Sequence, residues 1–217
     1  MTIGELFILG FFGKTVPSWL KEFAGRYGLG GVILFDYSCQ TREYDNNIDS
    51  PEQLRALCAE IAALPSAPMV FIDQEGGLVR RLKDSRGFAS LPSAKEFNHL
   101  APDQKRAVLT ASFAEMRRLG VHYDFAPVID VDYNPDNPNI GRIKRSYSAD
   151  IAEVEANALL ASSGAAGNSR KNISAAADSM SFRPPRGRYV PYAPGEVRGN
   201  WCSFSPCSAG KAQSPRT

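Results

Sequence analysis

The chain has 217 residues, 43% hydrophobic and 22% charged, ordinary proportions for a soluble globular protein with one large core or two small ones. Its formal net charge of +2 is too small to mark a nucleic-acid or polyanion partner. No apolar run approaches the roughly 20 residues needed to span a bilayer, and the N-terminus lacks the parts of a signal peptide, so a cytoplasmic protein is the expectation.

In chain order, residues 4–12 are apolar and read as a short buried strand. Val16 to Tyr27 places Trp19, Leu20, Phe23 and Tyr27 on one helix face, and Gly28-Leu29-Gly30-Gly31 stops that helix. Val32 to Phe35 is a continuous apolar run, as expected of a strand covered on both faces. Ser50 is a good N-cap, with Pro51 at the first helical position and Glu52 supporting the dipole, for a helix to about Ala63. Met69 to Asp73 reads as the third strand. Asp103 to Leu119 reads as a helix closed by Gly120, and Tyr123 to Ile129 as the fourth strand. A loop rich in Asn, Pro and Asp follows over 132–139, and a last helix starts at Ser148-Ala149-Asp150 and runs through Val154 and Leu159. Strands alternating with helices imply parallel strands joined by helical crossovers.

After about Ala161 the pattern stops. The last 56 residues hold no Leu and no His but ten Ser and six Pro. From Ser162 onward there are eight Lys/Arg against two Asp/Glu, about +6, so the rest of the chain is about −4. The basic residues are scattered and follow no amphipathic period, which argues against a nucleic-acid or membrane arm. Two readings stay open: a disordered native tail, or an out-of-frame translation of a GC-rich gene. The domain division is therefore 1–161 and 162–217.

Cys39, Cys58, Cys202 and Cys207 have no zinc-site spacing and read as free thiols. No phosphate loop, Ser-His-Asp set or metal-spaced cluster occurs, so no metal and no cofactor is expected. His122 reads as structural.

Polar residues gather where strands end. Met69 to Asp73 runs into Asp73, Glu75, the pair Gly76-Gly77, Arg80 and Arg81, at the strand end where α/β enzymes bind ligands. Asp73 and Glu75 are either functional or part of a polar turn in which the glycines supply positive φ. Neighbours on one loop rarely face each other across a substrate at the roughly 5 to 9 Å a glycosidase needs. A second strand ends in Asp124, Asp130 and Asp132. Arg145 either clamps a ligand with its planar fork or pairs with Asp130 or Asp132 to hold the loop.

Three motifs, Asp73-Gln-Glu-Gly-Gly-x-x-x-Arg81, Asp124-Phe-Ala-Pro-Val-Ile-Asp-Val-Asp132 and Asn134 through Arg145 to Asp150, come in an order that resembles the N-terminal domain of glycoside hydrolase family 3. The nearest branch is the bacterial β-N-acetylhexosaminidases, with the β-glucosidases as the alternative. The resemblance covers about residues 4–160 and includes Gly31 to Phe35. One departure is Leu78, where the hexosaminidase motif often has Arg. The resemblance implies an α/β fold of the (β/α)8 TIM-barrel type, of which about the first half is present, ahead of an irregular tail. It implies a carbohydrate partner, a glycan with terminal β-linked N-acetylglucosamine, and retaining hydrolysis. Asp73, Arg81 and Arg145 match the family's residues that bind the non-reducing sugar.

The family's later Lys-His-Phe-Pro-Gly-His-Gly segment, the Asp-Ser-His loop with its acid/base His, and the nucleophilic Asp have no match here. No His follows His122, and Asp178 is the only Asp after Asp150. No catalytic residue is therefore assigned, and the chain reads as an inactive, truncated or frameshifted glycosidase, or as a catalytically dead sugar-binding half-barrel. Four strands of a barrel that normally takes about 250 residues leave unpaired edges through which the chain could associate with itself.

Overall fold

The protein is described by a computed structural model over residues 2–166, with side chains to Ser163. The readings for 167–217, the tail's character and Cys202 and Cys207 among them, lie outside the described residues.

A 3-10 turn at Ile3–Leu6 leads into β1 (Ile8–Leu9), α1 (Ser18–Tyr27), β2 (Gly31–Ile33), α2 (Pro51–Ala62) and β3 (Met69–Ile72). A hairpin of β4 (Gln74–Gly76) and β5 (Val79–Arg80) follows, then α3 (Ala94–Asn98), α4 (Pro102–Leu119), β6 (Tyr123–Asp124) and α5 (Ile151–Ala166). The main sheet has the order β1-β2-β3-β6, and every pairing in it is parallel. This is the first half of a (β/α)8-type barrel, as the alternation of elements implies.

Helix ends fall where local chemistry sets them. Ser50 Oγ accepts from Gln53 N at 3.2 Å and Pro51 occupies the first turn of α2. Gly28 (φ 73°) ends α1, and Gly120 (φ 89°) ends α4 in the left-handed conformation. Val32, Leu34, Val70 and Ile72 face α2 and α4 and pack with Leu54, Leu57, Ile61, Met116 and Leu119 in the main core.

Four expectations change. Residues 4–12 are not one buried strand. Gly4 is locked in the 3-10 turn, its carbonyl accepting from Gly30 N. Only Ile8–Leu9 reach β2, and Phe7 and Ile8 stay half exposed because, among the described residues, β1 has a single neighbouring strand. The run Val32–Phe35 is fully covered on the helix side only. Ile33 and Phe35 are half-buried on the other side, which faces the barrel interior. The fourth strand shrinks to Tyr123–Asp124, since only these pair with Phe71 and Ile72 before the chain turns away. In α1 the buried face is Leu20 and Ala24, while Trp19 is turned outward.

Two elements escape the reading of hydrophobic period because they are too short to show one. They are the β4–β5 hairpin and α3, although the capping box Ser93-x-x-Glu96 that starts α3 stands plainly in the sequence.

Candidate functional site

Asp73 directly follows β3, and the hairpin after it returns Arg81 to the same place. Gln74 makes that return. Its buried side-chain oxygen accepts from Arg81 N at 2.9 Å and Leu82 N at 3.0 Å, and its amide nitrogen donates to Leu82 O at 3.2 Å. The tight turn needs both glycines: Gly76 and Gly77 have φ of 99° and 59°. A Cβ on Gly76 would stand 2.0 Å from Pro92 O, so only glycine fits.

Arg81 Nη2 donates to Asp73 Oδ2 at 2.9 Å, and its guanidinium lies over the Phe35 ring, 5.3 Å from the centroid. Phe35 is itself fixed by Asn47, which is fully buried. Asn47 Oδ1 accepts from Phe35 N at 2.9 Å, and its Nδ2 donates to Phe11 O at 3.1 Å and Gly13 O at 2.8 Å. The ends of β1 and β2 are thereby tied through one side chain.

Arg145 grips Glu75 with a two-pronged fork. Nε donates to Oε2 at 2.7 Å and Nη2 to Oε1 at 2.8 Å, and Nη1 reaches Asn139 O at 3.0 Å. The partner is thus Glu75, not Asp130 or Asp132. Asp132 lies 3.5 Å from Lys95 Nζ, and the Asp130 carbonyl accepts from Ser146 Oγ at 2.6 Å. The loop at 132–139 holds itself by Asx turns, in which Asn134 and Asn137 accept from Asp136 N and from Asn139 N and Ile140 N.

The structure therefore brings Asp73 and Arg81 together as one pair and places Arg145 beside them through Glu75. Asp73 and Glu75 serve different guanidinium groups, those of Arg81 and Arg145. Sequence reasoning missed the supporting residues Gln74 and Asn47, neither of which carries a periodic signal.

Asp124 Oδ1 accepts from Gln74 N at 2.8 Å. Burial pushes its carboxyl up to about 7; the Gln74 N–H opposes this, and the charges of Asp73 and Glu75 add to it. Asp124, Glu75 and Arg145 edge a cavity of about 500 Å³ that continues past Phe71 and Phe113 to Ala161, beside the outer edge of β6. Phe71 stacks on Tyr123 and Phe125, with ring centroids 5.0 and 5.3 Å apart. His122 is structural: Nδ1 accepts from Val70 N at 3.0 Å, and burial lowers its pKa. Cys58 is a buried free thiol, pushed up to about 12 by desolvation, and Cys39 is exposed and free. Among the described residues no three His, Cys, Asp or Glu side chains gather as a metal-ligand set, and no helix is long and apolar enough to cross a membrane.

The comparisons with known proteins bear on the family and the fold. A β-hexosaminidase of Methylococcus capsulatus is 36% identical over 124 residues, covering 55% of this chain and 34% of that protein. The chain thus spans about a third of the length of such relatives. A family 3 β-N-acetylglucosaminidase from a Paenibacillus species superposes with a TM-score of 0.65 at 28% identity, over 75% of this chain and 30% of the other. NagZ from Neisseria gonorrhoeae, solved with N-trifluoroacetyl-D-glucosamine, gives 0.60 at 25% identity, over 73% and 46%. Residues 3–177 match the glycosyl hydrolase family 3 N-terminal domain, and the chain belongs to that family.

Proposed function

We propose that this chain carries the sugar-recognising half of a β-N-acetylhexosaminidase barrel and that Asp73, Arg81 and Arg145 bind the non-reducing N-acetylglucosamine of a glycan. The observation that carries this reading is the Asp73–Arg81 pair at the C-terminal end of β3, with the Arg145–Glu75 fork beside it. A carboxylate and two planar guanidinium groups on one rim can fix several hydroxyls at once. The names of the relatives and the acetylated-sugar analogue bound by the Neisseria enzyme support the same substrate class.

Retaining hydrolysis needs a nucleophile and a separate acid/base. The chain's two histidines do not offer the second. His122 is locked against β3, and His99 caps the end of α3. The reading therefore gives this chain binding without turnover. We propose further that the chain, a barrel segment over 1–161 ahead of the segment 162–217, acts in the cytoplasm. The reading also has it associate with itself through the sheet edges on β1 and β6 that are open among the described residues.

Calorimetric or NMR titration of the full chain with N-acetylglucosamine tests the reading. Binding at millimolar sugar that is lost in Arg81→Ala, with no aglycone released when a chromogenic N-acetylglucosaminide is supplied instead, is the expected result. Robust hydrolysis overturns the inactivity, and no binding at millimolar sugar overturns the assignment of the site.

A further inference from the structure

The most deeply buried charge beside the site belongs to a residue outside every motif. Asp36 follows Phe35 past the end of β2, and its side chain is 1% exposed. Two cations converge on it, Lys83 Nζ at 2.7 Å from Oδ2 and Arg81 Nη1 at 3.7 Å from Oδ1. The Arg81 guanidinium is therefore strung between two carboxylates at different depths: Asp36, and Asp73, whose side chain is 23% exposed. Phe35 supports it from the face, and Lys83 is steadied in turn by Tyr44, its Nζ 3.3 Å from the ring centroid.

A buried carboxylate persists only where cations or donors compensate it. One that merely plugged a loop would accept from backbone N–H groups. Among the described residues, neither oxygen of Asp36 has such a hydrogen bond. What meets Asp36 is charge, from two side chains that leave the hairpin end at Arg81 and Lys83. Arg81's backbone is already fixed by Gln74, but that bond leaves its long side chain free to rotate. A second, deeper anchor removes the freedom and turns one edge of the guanidinium toward Asp73.

We propose that Asp36 is a positioning residue, holding the Arg81 guanidinium and the Lys83 ammonium in register so that Asp73 and Arg81 present a fixed pair to the sugar. The proposal rests on the assignment of Asp73 and Arg81 to sugar recognition, and its test separates the two.

The full chain is labelled with ¹⁵N and ¹³C and its arginine guanidinium resonances are followed, the Arg81 signals being assigned by their loss in Arg81→Lys. In the parent chain, rotation about the Arg81 Nε–Cζ bond is slowed and distinct Nη signals are resolved. In Asp36→Asn they merge toward those of an exposed arginine, and affinity for N-acetylglucosamine falls by roughly ten-fold or more. Asp36→Glu recovers part of both. Unchanged Arg81 signals in Asp36→Asn overturn the proposal. Should Asp36→Asn fail to fold, the charge-balanced Asp36→Asn/Lys83→Met variant gives the same comparison, and its failure to fold as well assigns Asp36 a purely structural role. If the parent chain binds no sugar, the site assignment fails while the Arg81 signals still decide the positioning.

Discussion

Asp124 shows how one residue can make stability depend on pH. Its carboxyl sits against the cavity with a single backbone donor, Gln74 N, and two neighbouring carboxylates. The folded-state value of about 7 stands above the ordinary 3.8, so the folded chain holds this proton more tightly than the unfolded chain does. The stability contributed is complete below the unfolded value and is lost as pH rises through the folded one. His122 has the opposite sign: burial lowers its pKa, so the folded state disfavours its protonation and stability falls as the medium turns acid. The difference between variants isolates Asp124. Asp124→Asn keeps an oxygen for Gln74 N and removes the charge. Relative to the parent chain it should gain stability between pH 5 and pH 8, by an amount on the order of 1 to 3 kcal/mol. Urea midpoints at the two pH values measure this, and parallel shifts in both chains contradict it.

At the scale of elements, short polar links position the site more than strands do. β1 and β2 contribute only two and three paired residues. Their C-terminal ends are joined by Asn47, whose side chain bridges Phe35, Phe11 and Gly13. Its backbone N donates to Phe35 O at 2.9 Å, and its carbonyl accepts from Gln53 Nε2 at 3.1 Å, tying α2 to the same point. Asn47→Ala removes three hydrogen bonds and strands a buried N–H and two carbonyls, a loss of about 2 to 4 kcal/mol. Thermal unfolding reads it directly. Asn47→Asp should do no better, since it keeps the acceptor but sets a carboxylate against the Phe11 and Gly13 carbonyls. A fall below about 0.5 kcal/mol for Asn47→Ala would show that the bridge is dispensable. Such a bridge is invisible in sequence. Long helices announce themselves through period and caps, as Ser50-Pro51 and Gly120 do. Asp73 and Arg81 stand out because β3 and the hairpin after it deliver them, and Arg145 because it sits in a motif that resembles the family's. Asn47, Gln74 and Asp36 act through contacts 12, 7 or 8 and dozens of residues away, where no local pattern reports them. The same limit explains why sequence offers the nearby Asp130 and Asp132 as the alternative to a ligand for Arg145, when Glu75, which it grips, lies 70 residues back.

For the molecule as a whole, the sheet order β1-β2-β3-β6 leaves two outer edges among the described residues, one on β1 and one on β6. A parallel sheet of this kind is normally enclosed, and a closed barrel has no edge at all. Here the β1 edge is flanked by exposed Phe7, Ile8 and Phe12, and the β6 edge by exposed Phe125 and the apolar cavity. Parallel strands make the two edges different, so the β6 edge of one copy can add to the β1 edge of another in the same direction, as β3 adds to β2. Two copies joined at both edges would bring together eight parallel strands, the number that closes a barrel. Sedimentation velocity across a concentration series should therefore show association, and Ile8→Lys, which puts a charge on the edge strand as natural proteins do, should shift it toward monomer. The substitution is at a side chain 43% exposed, so the fold itself has little to lose. A parent chain that stays monomeric and melts cooperatively at every concentration would mean that the apolar edges are already covered within a single copy.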